Sequence, residues 1–133
     1  MPARPVQFPA TARDAKVLLR LRKFCNTLPE FTETGAFGHP NFRAGKKTFA
    51  AYEPVKGRPS IAFKLNTPEV DLILLSDDRF FPTPYGRGFW ISLWADEPLD
   101  WKEIEKLLLR SYRGVALQRM LTALGTGPRP SPG

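Results

Sequence analysis

Five cations set on two short turns carry the first chemical signal in this chain: Arg43, Lys46 and Lys47, then Lys56 and Arg58. Phe42 and Arg43 lead into Ala44-Gly45, and Lys46 and Lys47 lead out. Apolar and polar residues alternate on both sides over ETGAFGHPNFRAGKKTFAAYE, which is the pattern of a β-hairpin around a glycine-containing turn. Lys56-Gly57-Arg58, between Pro54 and Pro59, reads as a second basic turn. Cations so displayed suit phosphates: they fix a nucleic-acid backbone in place and make affinity salt-dependent without reading bases. Two neighbouring wings of this kind straddle a phosphate backbone, and that model requires Lys46 and Lys56 not to lie at opposite ends of the sheet. Phe42 and Tyr85, close to these segments, are candidates for stacking on unpaired bases, although core packing is the commoner fate of an aromatic ring.

Other reactive residues form weaker patterns. His39 is the single histidine and Cys25 the single cysteine, so one chain can build neither a disulfide framework nor a zinc site of nitrogen and sulfur ligands alone. As a base for Ser60 or Ser92, His39 would lack a nameable third member, and orienting the turn is its expected role. Cys25 beside an apolar helix stripe reads as a small buried thiol. Asp77-Asp78 with Glu69 lacks the regular oxygen spacing of a calcium loop, and Gly86-Arg87-Gly88 precedes a strand where a phosphate loop would precede a helix. No cofactor and no metal are expected, and no catalytic constellation emerges.

A formal charge of +7 over 133 residues is unevenly distributed. Residues 1–23 hold six basic groups against one acid, residues 24–98 hold eight against nine, and residues 99–133 hold six against three. A field of that sign attracts nucleic acid, an anionic surface or an acidic protein alike. The length fits one domain spanning 1–133, and 42% hydrophobic residues supply a core. MPARPVQFPATARDAK lacks the apolar run of a signal peptide and no segment reaches the roughly 18 apolar residues of a membrane span, so no membrane association and a cytoplasmic residence are expected.

The elements that must position these residues follow from periodicity. After a proline-rich arm over 1–10, Thr11 caps a helix whose apolar stripe is Val17, Leu21, Phe24 and Leu28, with Arg13, Lys16, Arg20 and Lys23 beside it. Extended structure from Thr32 to Ala36 leads through Gly38-His39-Pro40 into the hairpin. Ser60–Asn66 alternates inward Ile61, Phe63 and Leu65 with outward Ser60, Ala62, Lys64 and Asn66. Thr67-Pro68-Glu69 starts a helix reaching about Leu75; Asp77–Gly88 is a loop; Phe89–Ala95 is a strand. Asp100 caps a last helix that buries Trp101, Ile104, Leu108 and Val115, with a break near Gly114 and a disordered tail over 125–133. The expected fold is α+β, a two-layer sandwich of an antiparallel β-sheet covered by helices on one face.

The blocks LPEFTETGAFGHPNFRAGKKTFAAYE, TPEVDLILL, DDRFFPTPYGRGFWISL and DWKEIEKLLLRSYRGVA, in that order, resemble the MmcQ/YjbR family over about Lys16 to Leu121. The GHPxFR segment of that family falls on Gly38, His39, Pro40, Phe42 and Arg43, its following GK on Gly45 and Lys46, and its SY pair on Ser111 and Tyr112. Phe37 occupies a position where members often carry tryptophan. The resemblance implies a CyaY-like or secretion-chaperone-like fold and DNA binding through a "double-wing" motif. It also leaves two alternatives: an adaptor for an acidic protein, or a small-ligand protein or enzyme with a pocket between the Phe80–Tyr85 loop and His39.

Overall fold

A computed structural model of the chain describes residues 11–65, 67–84 and 88–126. Thr11 opens the first helix through a reciprocal cap. Its hydroxyl accepts from the Asp14 N–H at 3.0 Å, and its own N–H donates to the Asp14 carboxylate at 3.1 Å, satisfying donors that a helix start leaves bare. Helix α1, Ala12–Cys25, buries Val17, Leu18, Leu21 and Cys25, so Leu18 takes the inward place expected for the half-exposed Phe24.

Six strands follow: β1 Phe31–Thr34, β2 Asn41–Ala44, β3 Lys47–Val55, β4 Arg58–Lys64, β5 Phe80–Pro82 and β6 Trp90–Trp94. They form one antiparallel sheet in the order β1-β2-β3-β4-β6-β5. Helix α2, Thr67–Ser76, joins β4 to β5, and α3, Trp101–Val115, and α4, Gln118–Thr126, close the described chain. The side chain of Thr67 lies outside the described residues, as do the expected arm over 1–10, Tyr85 and the last seven residues. Asp100 caps α3 by accepting from the Lys102 and Glu103 N–H groups at 3.1 and 3.3 Å.

Directly paired residues share a sheet face. On the inner face Tyr52 pairs with Ile61, Ile61 with Leu93, and Phe63 with Ile91, and all of them join one buried cluster with α1 and α3. The register slips between Phe42 and Arg43, which leaves Phe49 as an extra residue on β3. The slip turns Phe49 inward as well, edge-on to Tyr112 with ring centroids 5.7 Å apart. The α+β sandwich is thus as expected, with a six-stranded antiparallel sheet and helices packed on its inner face.

Three local expectations are corrected. Ser60 and Ala62 point outward yet are buried, Ser60 between Glu53 and Trp94 and Ala62 between Ala51 and Ser92; the Ser60 hydroxyl donates to the Glu53 carbonyl at 2.9 Å. The expected loop from Asp77 to Gly88 contains β5, a three-residue edge strand paired with β6. The extended segment from Thr32 ends at Thr34 and gives way to a 3₁₀ turn at Ala36–Gly38. The break expected near Gly114 falls just after it, where α3 ends at Val115 and the extended backbone of Ala116 leads to a separate α4.

Cys25 is sealed in this core, and burial, reinforced by the negative charge of Glu33, pushes its thiol up to about 12. A thiol buried and kept protonated is inert. Labelling with an aromatic disulfide reagent is therefore expected to track global unfolding and accelerate with urea. Complete labelling of the native protein at a urea-independent rate would show instead that α1 opens by itself.

Candidate binding surface: the basic turn and the open-face cleft

The two basic turns sit at opposite ends of the sheet. Gly45-Lys46 joins β2 to β3, and Lys56-Gly57 joins β3 to β4, so the nine residues of β3 separate them. At about 3.3 Å per residue that is roughly 30 Å. Consecutive hairpins in a meander necessarily turn at opposite ends of the strand they share. The expectation of five cations at neighbouring positions, and with it the two-wing grip, is therefore corrected.

The cations also differ in how much charge they leave available. Arg58 donates to both oxygens of Asp96 at 2.7 and 2.8 Å, approaches Glu97 at 3.6 Å and lies 3.9 Å over the Trp94 ring, which itself stacks on Phe81. Its charge is matched from a loop 38 residues away, which no local pattern announces. Arg43 folds inward and donates to the Lys46 carbonyl, bracing its own turn. Lys46, Lys47 and Lys56 are exposed and enter no ion pair among the described residues.

The β2–β3 turn is firmly seated. The Gly45 N–H donates to the Glu30 carbonyl at 2.9 Å, and the Glu30 carboxylate in turn accepts from Arg119 on α4 at 2.8 Å. Gly45 has φ +58, so glycine suits its left-handed backbone, and a side chain there would press on the flexible end of Met120 at 2.8 Å.

Several residues singled out by sequence are structural. Phe42 is fully buried and packs on Phe31 with centroids 5.9 Å apart, the core packing that was the commoner expectation for it, and it is not available to stack on bases. Tyr112 is buried and donates to the Pro29 carbonyl at 2.7 Å, tying α3 to the chain before β1. Ser111 is also buried. Two of the three acids considered for a cation are engaged with arginines: Asp77 with Arg79, which holds its carboxyl below the usual range through a direct hydrogen bond, and Glu69 with Arg110 at 3.1 Å, while Asp78 is exposed.

His39 leads to a feature that sequence reasoning only outlined. On the outer sheet face a cleft of about 500 Å³ is lined by Phe37, His39, Asn41, Thr48, Ala51, Glu53, Ala62, Thr83, Pro84 and Trp90. Its floor is made of small residues in register, Asn41 opposite Ala51 and Ala51 opposite Ala62. His39 Nε2 lies 3.3 Å from the Glu53 carboxylate. Burial raises the Glu53 carboxyl above its ordinary range, and His39 partly opposes the rise. Asn41 uses both amide hydrogens, donating to the Ala36 and His39 carbonyls at 2.9 and 3.0 Å. Phe37 stands at the wall 94% exposed and in a left-handed backbone conformation, φ 63. An aromatic residue held there is strained, and such strain clusters at binding sites. Of this set His39 was a named sequence candidate, and Thr83 and Pro84 belong to the Phe80–Tyr85 loop that the small-ligand alternative placed opposite it. Phe37 was visible as the aromatic before Gly38-His39-Pro40, whereas Glu53 and Trp90 lie on strands that only tertiary pairing brings together.

A family model for YjbR matches residues 26–114. This chain belongs to the YjbR family. The YjbR match contains the whole cleft lining and the β2–β3 turn and stops short of Arg119. Among solved structures, the Deinococcus radiodurans protein DR2400, with domain DUF419, superposes with a TM-score of 0.64 at 19% identity, over 85% of this chain and 91% of that one. A Pseudomonas syringae protein superposes with a TM-score of 0.58 at 18% identity, over 71% of this chain and 95% of that one. At these identities the likeness establishes the fold alone. No curated protein matches the sequence. No helix among the described residues is long and apolar enough to cross a membrane.

Proposed function

We propose that this YjbR-family chain is a non-enzymatic nucleic-acid-binding protein, with DNA as the expected partner, that holds phosphates at the β2–β3 end of its sheet. The observation supporting this reading is the exposed pair Lys46 and Lys47 on a braced turn, with no acid paired to either among the described residues. Arg43 serves the turn's shape, and the matched Arg58 no longer belongs in the contact set. Such contacts position a backbone and leave base sequence unread. An acidic protein partner would answer to the same charges and is distinguished by the test.

The test is a titration against duplex and single-stranded DNA at several salt concentrations, with wild type and Lys46→Ala/Lys47→Ala. Each lost phosphate contact removes about 0.9 from the magnitude of the log-log salt slope on duplex, so the double variant should lose roughly 1.8 and weaken unrelated duplexes alike. Both positions are exposed, so the variant folds. An unchanged slope in the folded variant rejects the turn as the phosphate contact, and absence of DNA binding in the wild type transfers the reading to an acidic protein.

A further inference from the structure

We propose that the open-face cleft is a nucleobase site, taking an amino-substituted heteroaromatic ring of the adenine or cytosine type, from a free nucleoside or from an unpaired base in a strand. The base site stands on the cleft's own chemistry; only the extension to a strand rests on the nucleic-acid reading above.

Three features select this ligand class. The walls offer aromatic and ring faces, Phe37, Trp90 and Pro84, while the floor offers the flat, small Ala51 and Ala62. A planar ring fits such a space, and stacking on aromatic side chains tolerates any base. The polar groups then narrow the choice. Asn41 has committed both donors, so what it has left to offer is its carbonyl oxygen, and Glu53 directs one carboxylate oxygen to His39 and keeps the other as an acceptor. The ligand edge must therefore present N–H groups, as the amino-bearing bases do and as uracil, with a single ring N–H, does far less. A simple cation fits worse, because Glu53 is the single carboxylate in the lining and no cluster of three metal-ligating side chains forms among the described residues.

The third feature is position. Thr48, which lines the cleft, pairs with Arg43 across β2 and β3 and is adjacent in sequence to Lys47. A base in the cleft thus has its sugar and phosphate within reach of the basic turn. The cleft's volume of about 500 Å³ falls inside the ~300–1,000 Å³ typical of small-molecule sites.

The experiment titrates the full chain with adenosine, cytidine and uridine, which carry no phosphate, and separately with an adenine-rich single strand and a matched abasic strand. Binding is followed by amide and indole NMR shifts. Two variants accompany the wild type. Glu53→Ala removes the acceptor, and Phe37→Gly removes a ring that packs on nothing while suiting the left-handed backbone, so this second variant folds in any event. Adenosine and cytidine should shift His39, Asn41, Ala62 and the Trp90 indole, uridine at least tenfold more weakly, and each variant should lose tenfold or more. A parallel tenfold loss for the adenine-rich strand, absent for the abasic one, identifies an unpaired base in a strand as a ligand. Nucleoside binding with strand affinity unchanged in Phe37→Gly identifies the free nucleoside. No cleft shifts at millimolar nucleoside, together with strand affinity indifferent to Phe37→Gly, overturns the proposal. That result would leave the salt-slope test of Lys46 and Lys47 untouched, so the two readings fail separately.

Discussion

Asp14→Ala is expected to lower the unfolding free energy by about 3 kcal/mol, through two losses at one side chain. The Asp14 carboxylate, 4% exposed, closes the cap of α1 by accepting from the Thr11 N–H at 3.1 Å, and its other oxygen accepts from the buried Tyr52 hydroxyl at 2.6 Å. The cap contributes about 1 kcal/mol, and a hydrogen bond to a charged group about 1.5–3 kcal/mol. Tyr52 is fully buried, and burial, followed by the Asp14 bond, raises its hydroxyl's ionisation well above the ordinary tyrosine range. Urea unfolding measures the loss. Asp14→Asn, which keeps an acceptor, should lose less, and Asp14→Ala with Tyr52→Phe should recover part of the deficit, giving the coupling directly. A loss under about 1 kcal/mol would show that neither bond supports the fold.

Ser111→Ala is expected to raise stability by about 2 kcal/mol. The Ser111 hydroxyl is fully buried on the inner face of α3 and has no hydrogen-bond partner among the described residues. Burying an unsatisfied hydroxyl costs about 1–3 kcal/mol, and alanine adds a further ~0.5 kcal/mol of helix preference. The urea midpoint should rise at constant m-value. A fall in stability would mean that a buried water or an alternative rotamer satisfies the hydroxyl in solution.

These two residues show which parts of the molecule could be read from the chain. Caps are local chemistry, with donor and acceptor three residues apart, so Thr11 and Asp100 announce α1 and α3. Alternation announces β3, β4 and β6, because each strand has one face on the core. What stays hidden is either very short or very distant. Phe80–Pro82 is three residues in a proline-rich run, too brief for a period to register. Gln118–Thr126 follows a break that Gly114 does signal, but no residue type marks the short helix beyond it. The bond from Tyr52 to Asp14 and the pairing of Arg58 with Asp96 each join residues 38 apart. The cleft is of the same kind, since Glu53 and Trp90 share it only because β4 lies between their strands.

The separation of the two turns is a different matter, because it was already implicit in the chain. Once two consecutive hairpins are assigned around Lys47–Val55, their turns must point in opposite directions along that strand. Counting cations per turn without following the direction of the chain obscured this. Which lysines retain a free charge, by contrast, depended on where Asp96 and Glu97 come to rest, and that required the fold.

The borders of the sheet have a bearing on how copies of the molecule behave together. One border strand is four residues long, and the other is three and ends in Pro82, which has no N–H to lend. A foreign strand docking at either side would gain too few main-chain bonds to repay its own ordering. Among the described residues the sheet thus offers only these two short borders, and copies of the molecule crowded together are disfavoured from fusing edge to edge into fibres.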